Sequence, residues 1–281
     1  MKPAVSIIVL NYNGREDTLA CLRSLEHLTY PNTDIIVVDN QSADGTVAAV
    51  RQAHPNITII ETGANLGFTG GNNVGIRHAL EHNADYIMLL NNDTVVAPDL
   101  IDIMIEVMEA DPTIGVGGPM LYYYSAPETI WSAGGSIDWQ RGTTSMIGLN
   151  EDDHAQYGLS PRPTDFVSGC CLLARRGVWE RAGLLDEKFF MYYEETEWCV
   201  RASRAGFKIV HIPMAMLWHK ISIEQRAASP RTHYYMTRNR LLFLRRTGAG
   251  FRPLLFTLGE YARTVISWSV RTKWQDKRPL R

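Results

Sequence analysis

The chain has 281 residues, 45% hydrophobic and 21% charged, which fits an ordinary globular protein able to bury a sizeable core. The formal charge of −2 hides a division: residues 1–225 carry 15 Lys and Arg against 28 Asp and Glu, whereas residues 226–281 carry 13 against 2. A basic tail on an acidic body marks the tail as the part that meets something anionic. Cys21, Cys170, Cys171 and Cys199 show neither CxxC nor zinc spacing, so they read as small buried hydrophobes in a reducing compartment. No stretch of about 18 residues is charge-free and strongly apolar, which argues against a membrane-spanning helix. The opening "MKPAVSIIVLNYNG" reads as a first strand, its apolar run being too short for a signal peptide.

Four short apolar runs follow one another: "AVSIIVL" (4–10), "DIIVVD" (34–39), "NITIIE" (56–61) and "DYIMLL" (85–90). Runs apolar on both faces suit parallel strands covered by helices on both sides. The segments between them, "REDTLACLRSLEHL", "GTVAAVRQA" and "GGNNVGIRHALEHN", have helical length. Alternation of this kind predicts a right-handed, doubly wound α/β sheet, in which ligands sit beyond the carboxyl ends of the strands. Asn11, Asp39, Glu61 and Asn91 to Asp93 all fall there.

Beyond Pro98 the sequence predicts a helix over "PDLIDIMIEVMEAD", with Asp99 as its cap, then a strand and hairpins to about residue 150. Residues 150–164, polar and interrupted by Pro161 and Pro163, read as a mobile loop. "DFVSGCCLLARR" is a further buried strand. There is no internal repeat and no low-complexity tract.

Asn91-Asn92-Asp93 ends the fourth apolar run with a carboxylate facing the crevice. One carboxylate does not hold a divalent cation alone, but Mg²⁺ or Mn²⁺ completes its shell from substrate phosphates, which points to a diphosphate ligand. Asp39 and Asn40 stand where a base or ribose would lie, and "GANLGFTGGNNVG" can bring backbone N–H groups close to phosphate or sugar oxygens. The fingerprints GxGxxG, GxxxxGK[ST], HExxH and GxSxG are absent, which disfavours a dehydrogenase, a P-loop enzyme, a zincin and an α/β-hydrolase.

The ordered set "SIIVLNYNG", "IIVVDNQSADGT", "NLGFTGGNN", "MLLNNDTVV", "VSGCCLLARRGVWERAGLLDEKFFMYYEETEWCVRASRAGF" and "LWH" resembles glycosyltransferase family 2, in its rhamnosyltransferase-like branch with the GT-A fold. The resemblance spans residues 4 to about 245 and is most specific from Val167 to Phe207. It implies an inverting enzyme using Mg²⁺ or Mn²⁺, with a nucleotide-binding half and an acceptor-binding half. Asp93 stands at the metal-binding end of the family's Asp-x-Asp motif, with Asn91 in place of the first carboxylate. His219 matches a late His that can approach the metal. Glu194-Glu195 stands where the family shows Glu-Asp, whose second member is the general base, so Glu195 is the candidate base. Glu194 and Glu197 share a helix face on which Arg201 can pair with Glu197.

Leu10, Asn11, Asn13, Asp39, Asn40, Asn65, Gly67, Gly71, Asn91 and Asn92 are the implied nucleotide-binding residues. Ser168, Gly169 and Trp198 are the candidates beside the donor or acceptor sugar, and Arg238 and Arg240 the candidates for a clamp on the diphosphate.

The tail, residues 226–281, interleaves arginines with aromatic and aliphatic clusters. Without a nucleic-acid fold signature, it reads as a helical extension that either lies on a membrane surface or packs on protein, including a second copy of the chain. The expectation is therefore a GT-A domain over 1–225 and a basic extension over 226–281. The enzyme would move a sugar, rhamnose among the candidates, from a UDP- or dTDP-linked donor to a lipid-linked surface or cell-wall glycan. It would work in the cytoplasm at the inner face of the plasma membrane. The competing expectation is a catalytically impaired nucleotide-sugar-binding or scaffold protein, kept open by Asn91.

Overall fold

The computed structural model describes residues 2–221 and 229–270. Its first part alternates strand and helix: β1 (Val5–Asn11), α1 (Arg15–Leu25), β2 (Thr33–Asp39), α2 (Thr46–Ala53), β3 (Thr58–Glu61), α3 (Gly67–Glu81) and β4 (Tyr86–Asn91). Then come β5 (Thr94–Val96), α4 (Leu100–Ala110), β6 (Ile114–Tyr123), β7 (Ala126–Ser132), β8 (Gly135–Asp138), β9 (Thr143–Met146), β10 (Arg162–Pro163) and β11 (Cys171–Arg175). The remaining elements are α5 (Arg176–Ala182), α6 (Glu194–Arg204), β12 (Lys208–His219), α7 (Pro230–Thr247) and α8 (Phe251–Val270).

The main sheet runs β10-β12-β6-β11-β4-β1-β2-β3, with β5 also on β12 and β7 also on β6. The β3-β2-β1-β4 block is parallel, β11 enters antiparallel between β4 and β6, and β12 runs parallel to β6. Successive side chains of a strand point to opposite faces, and here both faces are covered. Val5, Ile7 and Val9 of β1 meet Leu22 and Leu25 of α1 and Met104 and Met108 of α4. Ile8 meets Ile76 and Ala79 of α3, in a second core shared with Trp179 of α5 and Trp198 of α6. This double burial is why β1 and β4 read as unbroken apolar runs, while β3 at the end of the sheet is only partly buried.

Two details depart from the sequence expectations, and a third takes one of the alternatives left open for the tail. Asp99 occupies the N-cap position of α4, but its side chain makes no capping hydrogen bond. Residues 150–164 are tied down: Tyr157 donates to Glu151 at 2.8 Å, Arg162 lies over the Tyr157 ring, and β10 pairs with β12. α7 is part of the body, since Phe243 and Leu244 are buried in the second core and the Thr247 carbonyl accepts from Arg204 at 2.6 Å. The expected domain boundary at 225 and the basic run 271–281 lie outside the described residues. Among the described residues, no helix is long and apolar enough to cross a membrane.

Candidate active site

The parallel strands β1, β2 and β4 end at one edge of the sheet, and their terminal polar residues bond to one another. The Asn11 amide donates to Asp39 Oδ1 at 2.8 Å and to Ser42 Oγ at 2.9 Å, while its carbonyl oxygen accepts from Gly14 N, Thr18 and Asn92. Asp39 Oδ2 accepts from the Ser42 N–H. Asn11 is fully buried and Asn92 also donates to Thr18, so both brace the ends of these strands. The brace is tight: a Cβ on Gly14 would stand 2.3 Å from the Asn92 amide. Asn13, in left-handed backbone at φ 54°, accepts from the Ala43 N–H and so holds the β2–α2 loop.

Asn92 and Asp93 form the turn between β4 and β5, and their side chains take different partners, Asn11 and Thr18 for Asn92 and His219 for Asp93. The Asp93 side chain is 34% exposed, and its Oδ1 lies 3.0 Å from Nε2 of buried His219, the last residue of β12. Burial pushes the Asp93 carboxyl up, but the His219 hydrogen bond and the charges of His219 and Lys220 outweigh it and hold it below the ordinary aspartate range. The ring of His219 meets Trp131 edge-on at 4.8 Å, which fixes its plane.

Asp93 with water and diphosphate oxygens fits Mg²⁺ or Mn²⁺, which bind through one or two carboxylates. Among the described residues, no group of three or more His, Cys, Asp or Glu gathers around a common point, so they form no ready-made metal cage there. His219 fits better as the residue that aims Asp93 than as a ligand. Its Nδ1 is buried with no hydrogen-bond partner among the described residues, whereas its Nε2 is engaged with the carboxylate. A ligating His donates its other ring N–H to a partner, and no described residue accepts from Nδ1.

The Gly-rich segment has a packing explanation. A Cβ on Gly71 would fall 2.4 Å from Leu10 Cδ1 and 2.9 Å from the Asn40 amide, and one on Gly67 would strike Phe190. The N–H groups at the start of α3 are taken as well: Gly67 N donates to Asn65 Oδ1 and Thr69 N to the Phe190 carbonyl. Asn40 is buried and donates to the Gly67 carbonyl. The glycines therefore seat α3 against β1 and β2 more than they open a phosphate cradle.

Glu194 and Glu195 begin α6. Glu194 is 4% exposed, so it is no solvated helix start; burial and then the charge of Glu195 push its carboxyl well above the ordinary range. Burial also raises Glu195, against opposing N–H groups of Glu195, Thr196 and Gly169. The oxygens Glu194 Oε2 and Glu195 Oε2 have no hydrogen-bond partner. Two like charges in one buried place do not both ionise, so the pair holds a proton between its two members. Glu197 pairs with Arg201 through both oxygens at 2.9 Å, as the helical spacing predicts.

One rigid link joins this pair to the tip of β4. The Gly169 N–H faces the Glu195 carboxylate, and the carbonyl of the next residue, Cys170, accepts from Asn91 N at 2.9 Å. Ser168 is buried with its Oγ accepting from Cys170 N, so it shapes this turn. Trp198 is corrected: it is fully buried, stacks on Trp179 at 3.9 Å and donates to the Gly183 carbonyl, and so cannot wall a sugar.

The loop entering α6 holds Phe190, Tyr192 and Tyr193 at φ 66°, 70° and 74°, a left-handed region that bulky residues rarely adopt. Asn239 of α7, fully buried, donates to the carbonyls of Phe189, Met191 and Tyr192 at 2.7 to 2.9 Å. Arg238 donates to the Lys188 and Phe189 carbonyls, and Arg240 to those of Gly142 and Arg141 and to Glu260. Both guanidinium groups are thus engaged with the protein itself. Thr18 and Ser42 escaped the sequence reading, because small hydroxyl residues in a helix and a loop carry no motif that points to Asn11.

A mostly parallel sheet with a carboxylate at one strand tip and a buried acidic pair linked to it defines a GT-A type nucleotide-sugar enzyme. Residues 6–182 match the family described as Glycosyl transferase family 2, and the chain belongs to that family: it is a glycosyltransferase. It is 28% identical over 235 residues to N-acetylglucosaminyl-diphospho-decaprenol L-rhamnosyltransferase of Mycobacterium tuberculosis, covering 78% of this chain and 76% of that one. It is 30% identical to the low-salt glycan biosynthesis hexosyltransferase Agl10 of Haloferax volcanii, covering 85% and 74%. It is 25% identical to the dTDP-rhamnosyl transferase RfbF of Shigella flexneri, covering 95% and 87%. In fold it is similar to the mannosyltransferase PcManGT from Pyrobaculum calidifontis, solved with GDP-Man and Mn²⁺ (TM-score 0.64, 15% identity, 100% and 84% covered). It is likewise similar to S. aureus TarS 1–349, solved with UDP-GlcNAc (TM-score 0.62, 15% identity, 98% and 78% covered).

Proposed function

We propose that the chain is an inverting glycosyltransferase that moves a sugar from a dTDP- or UDP-linked donor to a hydroxyl of a lipid-linked glycan. Rhamnose is the first sugar to test, because two relatives carry it in their names. The acceptor class rests on the decaprenol-linked substrate in the name of the mycobacterial relative. A soluble donor and a lipid-borne acceptor meet at the cytoplasmic face of a membrane. The observation that carries the chemistry is the link from Glu195 through Gly169 and Cys170 to Asn91, two residues before Asp93.

In this reading Glu195 accepts the proton of the acceptor hydroxyl as that oxygen forms its bond to the anomeric carbon. The bond from that carbon to the diphosphate oxygen breaks, and the nucleoside diphosphate leaves with the electron pair. Asp93 would hold Mg²⁺ or Mn²⁺, whose charge stabilises the departing diphosphate. With the shared proton of the pair on Glu194, no second negative charge would stand beside the base, and the packed α3 and α6 would hold the reactants in line.

The test is a screen of nucleotide sugars for donor turnover with the full chain and Mn²⁺, repeated with Glu195→Gln. Turnover in the wild type that is lost in the variant supports the reading; a variant as active as wild type overturns the base assignment. A second reading, a nucleotide-sugar-binding protein without turnover, draws on Asn91 standing where a carboxylate would. Calorimetric binding of UDP or dTDP with no turnover on any acceptor would favour it.

A further inference from the structure

α8 is built inside out. A helix lying on a globular body normally turns its apolar face inward. Here Phe251, Leu254, Leu255, Leu258, Val265 and Ile266 are 38 to 68% exposed. Their spacing of three, four and seven residues puts them on one stripe along the helix. The face against the body is mixed: Pro253 and Thr257 are buried, Trp268 meets the His233 ring, Glu260 bonds Arg240 at 2.8 Å, and the Tyr261 hydroxyl donates to the Thr237 carbonyl. Packing on this chain therefore leaves the apolar stripe uncovered, and a stripe of that length marks an interaction surface.

We infer that the α8 stripe docks the enzyme on an anionic lipid surface, lying in the headgroup plane. Charge selects the occupant. Arg252 and Arg263 are exposed along one edge of the stripe and pair with no carboxylate among the described residues. In sequence, residues 271–281 add five Lys and Arg against one Asp. A two-fold contact through this stripe would bring these like charges together, whereas anionic headgroups neutralise them. α8 does not meet the requirement for crossing a membrane, so an apolar face flanked by cations suits the interface. Through α7 the same surface is braced to the catalytic loop: Tyr261 and Glu260 hold α7, and Asn239 of α7 holds the residues leading into Glu195. Docking would therefore place the acceptor side of the crevice near a lipid-borne glycan, a consequence that rests on the proposed acceptor class; the docking itself does not.

The test is co-sedimentation of the full chain with phosphatidylcholine vesicles, with and without phosphatidylglycerol. The wild type is expected to bind the anionic vesicles and to be released by salt. Leu255→Glu/Ile266→Glu, two exposed positions that leave the core intact, should weaken binding at least about tenfold. Arg252→Gln/Arg263→Gln should weaken it about fivefold per charge. Turnover of the nucleotide sugar with a short water-soluble acceptor should be unchanged in both variants, so failure of docking and failure of the proposed reaction are read separately. Absence of wild-type binding to anionic vesicles, or binding that survives Leu255→Glu/Ile266→Glu, overturns the inference. So does a dimer, seen by light scattering, that the same variant dissolves while vesicles go unbound: the stripe would then belong to a second copy.

Discussion

His219 Nε2 lies 3.0 Å from Asp93 Oδ1, so the last residue of β12 aims the carboxylate at the tip of β4. If His219 acts as a hydrogen-bond donor, a side chain that can donate from a similar place should replace it. His219→Gln is expected to keep most of the Mn²⁺ affinity measured by calorimetry with dTDP or UDP present, whereas His219→Ala should lose about 10- to 100-fold. Asp93→Ala should cost about 100-fold or more in kcat/KM with the fold intact. Equal losses in the Gln and Ala variants would make His219 a metal ligand. The low Asp93 carboxyl also has a stability consequence. A depressed folded value contributes stability above the unfolded pKa, and that contribution disappears as pH falls through the folded value.

Glu195 works as a base when ionised, and burial raises its carboxyl above the ordinary glutamate value. Activity should therefore climb with pH through that raised value, giving kcat/KM an acid limb above the ordinary glutamate range. Glu195→Gln should lower kcat by about 10²- to 10⁴-fold and remove the limb, with far-UV circular dichroism unchanged. A variant that turns over slowly but keeps the same limb would assign the titration to another group.

Glu194 offers a sharper sign. Its folded pKa is raised, so its stabilising contribution is complete below the unfolded value and is lost as pH rises through the folded one. Glu194→Gln mimics the protonated form. It should be more stable than wild type by about 1–2 kcal/mol near pH 8 and equal to it near pH 4, read by chemical denaturation. Equal stability at both pH values would mean that Glu194 is not strained by burial.

How much of this was legible in the sequence depends on the range of each interaction. β1 and β4 were readable because burial on both faces leaves an apolar run within one strand. Asp93 was readable as a strand-end carboxylate, since its place follows from where the run stops. Asn92 was not, because whether it faces the crevice or Asn11 is decided by a contact across 81 positions. Trp198 misled for a similar reason: an aromatic residue beside an acidic pair looks the same whether it meets a sugar or Trp179. The apolar periodicity of α8 was visible, but periodicity does not say which side faces out. Glu260 and Tyr261, bonded to Arg240 and Thr237, decide that.

Asn239 carries the last prediction. Three left-handed aromatic residues cost about 1–3 kcal/mol each, and they persist because their surroundings over-determine them. Asn239 contributes much of that constraint, since its amide meets three carbonyls of the loop that delivers Glu194 and Glu195. Asn239→Ala removes the shared donor, leaving the Phe189 carbonyl to Arg238 and the Met191 N–H, and frees the loop to relax, so a stability loss of about 2–4 kcal/mol is expected. As a positioning residue, Asn239 should act on kcat and leave the Kd for the nucleotide unchanged, because the nucleotide edge of β1, β2 and β4 has its own brace in Asn11 and Asp39. Asn239→Asp should be no better than Ala, because a carboxylate cannot donate to carbonyls. If Asn239→Ala weakens nucleotide binding as much as it slows turnover, α7 supports the whole crevice and not the base-bearing loop in particular.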